Sequence, residues 1–145
     1  MEKRFYYFAY GSNMDSARMF ARCPGARMAG IACLKGYRLA ERLYADIETA
    51  EGCAVGGVLW SVTLADLRAL DRFEGVAAGA YKRGVYAFST TWGGGRRAYA
   101  YEMTPQTRLE RAGMPFPRWY REICRRGARQ HGLSGAFFRK SIKGA

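Results

Sequence analysis

Phe5-Tyr6-Tyr7-Phe8-Ala9-Tyr10-Gly11-Ser12-Asn13 is the stretch on which the fold turns. Phe5 to Tyr10 is a run of β-formers without polar alternation, which suits a central strand covered on both faces. Gly11-Ser12-Asn13 ends it sharply. Asn13 or Asp15 can then cap a helix whose apolar stripe is Met14, Ala17, Met19, Phe20 and Cys23, before Pro24-Gly25 stops it. The order is strand, glycine turn, helix N-terminus. Gly11 lets the backbone bend where a side chain would clash. Successive backbone N–H groups at such a turn form a pocket for a carboxylate or a developing oxyanion, and Ser12 and Asn13 add side-chain donors. A plain helix-capping turn has the same pattern, so both readings stand at this level.

Working outward, Arg27 to Leu34 and Gly36 to Glu41 read as the second and third strands, separated by a Lys35-Gly36 turn. Ala45 to Thr49 reads as a short strand ending at a Glu51-Gly52 turn. Ala54 to Val62 follows as another, weakened by Gly56-Gly57. Thr63 with Asp66 forms a capping-box-like start to a helix carrying Leu64, Leu67 and Leu70 on one face. That helix is expected to end near Phe73 or Glu74, stopped by Gly75. Tyr81 to Thr91 and Arg96 to Met103 form a hairpin around Trp92-Gly93-Gly94-Gly95. A proline-punctuated loop (Pro105, Pro115, Pro117) leads to a helix over Arg118 to Gln130, with Ile123 and Cys124 inward and arginines outward. Ser134 caps a last short helix with Phe137, Phe138 and Ile142. The expected fold is α+β, a single domain over residues 1–145. About six strands form a small mixed barrel with flanking helices.

Glu74 lies at the C-terminal end of its predicted helix, in Leu70-Asp71-Arg72-Phe73-Glu74-Gly75-Val76. That is the unfavourable end of the helix dipole for a carboxylate. Dipole and partial burial both raise its pKa toward the value a general base needs near neutrality. A surface glutamate paired with Arg72 or Lys82 is the competing reading.

Composition narrows the classes. The chain has 145 residues, enough for one core, and carries a formal charge of +12. Residues 111–145 hold nine Lys or Arg against one acid, Glu122, so the basic excess is concentrated there. Such a tail can bind nucleic acid or be the solvated face of an arginine-rich helix, and the second reading is preferred. Cys23, Cys33, Cys53 and Cys124 form no close pair and are expected to be buried free thiols. With His131 the single histidine, no metal site is expected. The N-terminal run is too short and aromatic for a signal peptide, and no stretch suits a membrane span. The expected location is cytoplasmic. No G-x-S-x-G elbow, Walker loop or G-x-G-x-x-G turn is present.

Phe8-Ala9-Tyr10-Gly11-Ser12-Asn13-Met14 together with the Leu70–Val76 segment resembles the γ-glutamylcyclotransferase family and its AIG2-like relatives. Tyr81 and the Trp119-Tyr120, Gly127-Ala128 and Gly132-Leu133 pairs match further family positions. The resemblance implies a six-stranded mixed barrel, no cofactor, and release of 5-oxoproline from a γ-glutamyl amide. It implies Glu74 as acid and base. Tyr7, Phe8, Ala9, Tyr10, Gly11, Ser12, Asn13, Tyr81 and Tyr120 would surround the small-molecule γ-glutamyl substrate, in a monomer or homodimer. Relatives specialised for isopeptides carry a threonine-leucine pair after the glycine. Ser12-Asn13 therefore favours γ-glutamyl amino acids. The alternatives are a cyclotransferase for γ-glutamylamines or a biosynthetic intermediate, and a non-enzymatic basic binding module.

Overall fold

The computed structural model describes residues 2–90 and 94–133. Strand β1 (Arg4–Ala9) runs into a 3-10 turn (Ser12–Met14) and helix α1 (Ser16–Arg22). Two long strands follow, β2 (Arg27–Arg42) and β3 (Tyr44–Thr63), then helix α2 (Leu64–Phe73). The hairpin β4 (Tyr81–Thr90) and β5 (Gly95–Met103) leads to α3 (Pro105–Glu110) and α4 (Arg118–Gln130). The sequence-predicted helix from Ser134, and Thr91, Trp92 and Gly93 of the hairpin turn, lie outside the described residues.

The strands close into a barrel in the order β1-β3-β2-β4-β5. All its pairs are antiparallel except β1 with β5, which meet in parallel at Tyr7 and Tyr99. The mixed barrel with flanking helices is as expected, but it has five strands rather than about six. The difference comes from β2 and β3. The sequence pattern divides each into two strands, at Lys35-Gly36 and Glu51-Gly52. In the structure the pairing Lys35 with Ala54 resumes as Tyr37 with Thr49, so the interruption is a bulge inside one hairpin. Gly36 and Gly52, at φ of 84° and 83°, absorb the irregularity where another residue would be strained. The real reversal is at Leu43, whose φ is 66° and whose N–H donates to the carbonyl of Met114 at 2.8 Å. No local turn signal marks it; a distant contact holds it.

β1 is covered on both faces, with Tyr7, Phe8, Ala9 and Tyr10 all buried. Gly57 is where β3 comes closest to it. A Cβ there would meet the Ala9 carbonyl oxygen at 2.5 Å and the Phe8 ring at 2.7 Å, so this glycine permits the packing rather than weakening the strand.

Thr63 and Asp66 make the full capping box on α2, and Gly75 at φ 67° ends it one residue after Glu74. Leu67 and Leu70 are buried, but Leu64 is exposed, as are Ala17 and Phe20 of α1. Those two amphipathic stripes are narrower than the sequence pattern suggested. Phe20 packs its edge on Trp60 at 5.5 Å. The region after β5 is not all loop. Thr104 caps α3 by accepting from the Thr107 N–H, with Pro105 at the first turn, where a missing N–H costs nothing.

Asp15, rather than Asn13, caps α1. Fully buried, it accepts from Arg18 N and holds Arg126 of α4 through two bonds of 2.7 and 2.9 Å. The Arg126 guanidinium holds its carboxyl below the usual carboxylate range. Gly127 lets α4 lie directly on the turn, since a Cβ there would sit 2.4 Å from the Asp15 nitrogen. Cys23 and Cys124 are buried thiols as expected. Cys33 is half-buried and Cys53 is exposed on the bulged part of β3, contrary to expectation. Among the described residues no helix is long and apolar enough to cross a membrane.

Candidate active site

The turn after β1 is held from three sides. Trp60 Nε1 donates to the Asn13 carbonyl at 3.0 Å. Arg18 Nε donates to Ser12 Oγ at 3.0 Å, and Arg22 donates to Asn13 Oδ1 at 3.3 Å. Asn13 Nδ2 in turn donates to the Tyr7 hydroxyl at 3.0 Å. The Asn13 side chain is therefore tied to the scaffold through both its oxygen and its nitrogen, with one Nδ2 hydrogen beyond the bond to Tyr7. The backbone is different. The Gly11 and Ser12 carbonyls close the turn by accepting from Met14 N and Asp15 N, and among the described residues no acceptor is found for the N–H groups of Gly11, Ser12 or Asn13. Three neighbouring donors are thus left for an anion or an oxyanion.

Glu74 is placed at the end of α2 by its own N–H, which donates to the Leu70 carbonyl at 2.9 Å. Desolvation by burial raises its pKa from the ordinary 4.5 to about 7, against the opposing pull of Arg22, Arg18 and Arg111. No ion pair of Glu74 with Arg72 or Lys82 forms; both of those side chains are exposed. Among the described residues its carboxylate has no hydrogen-bond or ion-pair partner. The pKa therefore moves in the expected direction, with burial as its leading cause.

Two tyrosines grip one residue at the start of β3. Tyr81 donates its hydroxyl to the Ala45 carbonyl at 2.8 Å, and the Tyr120 hydroxyl accepts from the Ala45 N–H at 3.1 Å. Tyr10 donates to the Tyr101 carbonyl. Burial raises the pKa of Tyr7, Tyr10, Tyr81 and Tyr120 well above the usual phenol range, so these groups stay protonated.

These groups enclose a narrow inner chamber of about 40 Å³. Tyr7, Phe8, Tyr10, Gly11, Ser12, Asn13, Glu74, Tyr81 and Tyr120 all line it, so nine of the ten sequence-predicted residues come together. Ala9 does not. It is buried in β1 opposite Val58, beneath the wall. Ala45 and Tyr101 line the chamber without having been singled out. Tyr101 had no motif around it. Its hydroxyl is tied to Asp71 at 2.6 Å, one turn before Glu74.

A wider outer chamber of about 220 Å³ shares Ser12, Glu74, Tyr81 and Tyr120 with the first. Its remaining walls are Arg18, Arg22, Tyr44, Phe73 and Trp119, and the Arg22 guanidinium lies 4.6 Å from the Phe73 ring centroid. Sequence reasoning passed over these two arginines as part of the general basic excess. The available signal was their four-residue spacing on a helix that holds no acid. Of the arginines on α4, Arg121 pairs with Glu41, Arg125 with Glu122 and Arg126 with Asp15. Among the described residues no group of three or more His, Cys, Asp or Glu gathers to hold a metal ion.

With this geometry in view, residues 7–121 match the family model described as gamma-glutamyl cyclotransferase, AIG2-like. The bovine gamma-glutamylcyclotransferase is 32% identical over 141 residues, covering 89% of this chain and 72% of the bovine one. The human protein of that name is 31% identical over 144 residues, covering 91% and 74%. A solved structure described as gamma-glutamyl cyclotransferase superposes with a TM-score of 0.79 at 26% identity, covering 93% of this chain and 84% of its own.

Proposed function

The chain belongs to the gamma-glutamyl cyclotransferase, AIG2-like family and is an enzyme; from that premise we propose that it releases 5-oxoproline from γ-glutamyl amino acids, with Glu74 moving the proton. The observation that carries this reading is the unpaired Glu74 carboxyl, raised to about 7, in a chamber also lined by Gly11, Ser12 and Asn13, whose backbone N–H groups have no acceptor among the described residues.

In this scheme the α-amine of the γ-glutamyl unit attacks its own γ-carbonyl carbon. The new C–N bond closes a five-membered ring, and the carbonyl oxygen takes up negative charge beside N–H donors. Glu74 accepts the proton that the attacking nitrogen must lose. It returns that proton to the departing nitrogen as the original amide C–N bond breaks. One carboxyl with a pKa near neutrality serves both steps. Ring closure is intramolecular, so holding the substrate bent supplies much of the rate. The narrow inner chamber suits that task, and its buried tyrosines stay neutral. Incubation with a panel of γ-glutamyl amino acids, with 5-oxoproline as the readout, tests the reading. Release dependent on Glu74 supports it, and no release from any member overturns it.

A further inference from the structure

We propose that Arg22, with Arg18 one turn before it, selects the leaving half of the substrate by negative charge, receiving a carboxylate of the departing amine in the outer chamber. This rests on the cyclotransferase reading and goes on to say what the second half of the cleft recognises.

The two guanidiniums are four residues apart on α1, on one wall of the chamber. Both are half-buried, and like charges so placed repel. Elsewhere in the protein such arginines hold carboxylates. Arg42 and Arg108 pair with Asp46, Arg83 with Asp71, and Arg126 with Asp15. Arg18 and Arg22 have only neutral partners among the described residues, Ser12 Oγ and Asn13 Oδ1. These bonds use one nitrogen of each guanidinium and orient it while leaving its other nitrogens unspent. Glu74 is the single carboxylate lining either chamber, and it pairs with neither.

The chamber therefore carries two cations against one carboxylate, Glu74, which feels their charge but pairs with neither. A carboxylate entering it gains charge-assisted bonds, which are about twice as strong as neutral ones. A cationic leaving group, such as a diamine or a lysine side chain, meets repulsion instead. The other walls, Tyr44, Phe73 and Trp119, are aromatic, and Phe73 and Trp119 are about half exposed, at 53% and 52%. They leave the amine's own side chain loosely restricted. Charge rather than shape is the feature this half reads.

The test compares γ-glutamyl-alanine with γ-glutamyl-ethylamide, which differ by one carboxylate on the leaving amine. The wild type should prefer the dipeptide in kcat/KM by roughly 10- to 100-fold, the range for hydrogen bonds to a charged group. Arg22→Gln should cut that ratio about tenfold, with Arg22→Lys recovering part of it because the charge remains while the planar fork is lost. Calorimetry on Glu74→Gln, which holds substrate without turning it over, should show the same preference in binding. Equal affinity for the two ligands overturns the proposal whatever the turnover. An undiminished ratio in both Arg22→Gln and Arg18→Gln overturns the assignment to these arginines. A retained binding preference without 5-oxoproline from either substrate sinks the cyclotransferase reading and leaves charge selection standing.

Discussion

The hydroxyl of Tyr120 occupies the space that a side chain on Gly11 would need: a Cβ there would lie 2.8 Å from that oxygen and 3.1 Å from the Ala45 Cβ. Gly11 has a φ of −122° and a ψ of −131°, and its neighbours leave no room for a side chain. Gly11→Ala should push the turn away from α4 and lower activity at least tenfold, read as kcat/KM. In a double-mutant cycle on thermal stability, adding Tyr120→Phe should recover part of the loss, with a coupling of about 0.5–2 kcal/mol. Strict additivity would mean that the two groups do not compete for the same space.

Glu74→Gln preserves shape and removes the exchangeable proton. Activity should fall by about 10²- to 10⁴-fold with the circular dichroism spectrum unchanged. For the wild type, kcat/KM should drop as pH falls through about 7, because the protonated carboxyl no longer accepts. A fully active variant, or a pH profile flat across that window, would remove Glu74 from the mechanism.

The same residue predicts a stability difference of definite sign. Its pKa is raised from 4.5 to about 7 in the folded state, so the fold favours the neutral form. That contribution is fully present below about 4.5 and is lost as pH rises through about 7. Glu74→Gln stays neutral throughout. It should match the wild type at and below about pH 4.5 and melt several degrees higher in mildly alkaline buffer. Melting curves at both ends of that window decide it, and a variant no more stable at the alkaline end contradicts the burial argument.

Tyr120→Phe has two expected effects. The Ala45 N–H loses its partner inside the protein, which costs roughly 1–3 kcal/mol of stability. The inner wall loses a hydroxyl, which should raise KM about tenfold with a smaller change in kcat. If neither constant moves, Tyr120 belongs to the scaffold alone.

Much of this was legible from local pattern because local physics controls it. Thr63 and Asp66 cap α2 through bonds three residues apart, and Gly75 ends it by its own conformation. Glu74 was visible for the same reason. Where distance enters, the sequence is silent. Nothing near Leu43 announces a reversal that is held by Met114, so the two long strands were divided at glycines that only bend them. Ala45 has no chemical side chain and joins the site through its backbone. Arg18 and Arg22 look like any exposed basic pair until the cleft closes around them. Asn13 looked like a donor to substrate and proves to be bound at both ends, to Tyr7 and to Arg22.

The seating of α4 on the turn through Gly127, Arg126 and Asp15 has a consequence for the order of folding. The groups around Glu74 come from near the chain's first strand and from its last described helix, so the pocket closes only through contacts more than a hundred residues apart in sequence. Such contacts form late, after the entropy of closing so large a loop has been overcome. A nascent chain that has emerged only as far as β5 already contains Glu74 and Gly11 of the turn, yet lacks the helix that presses them into register. Competence should thus arrive in one step once α4 has emerged, and should vanish in one step when that helix lifts.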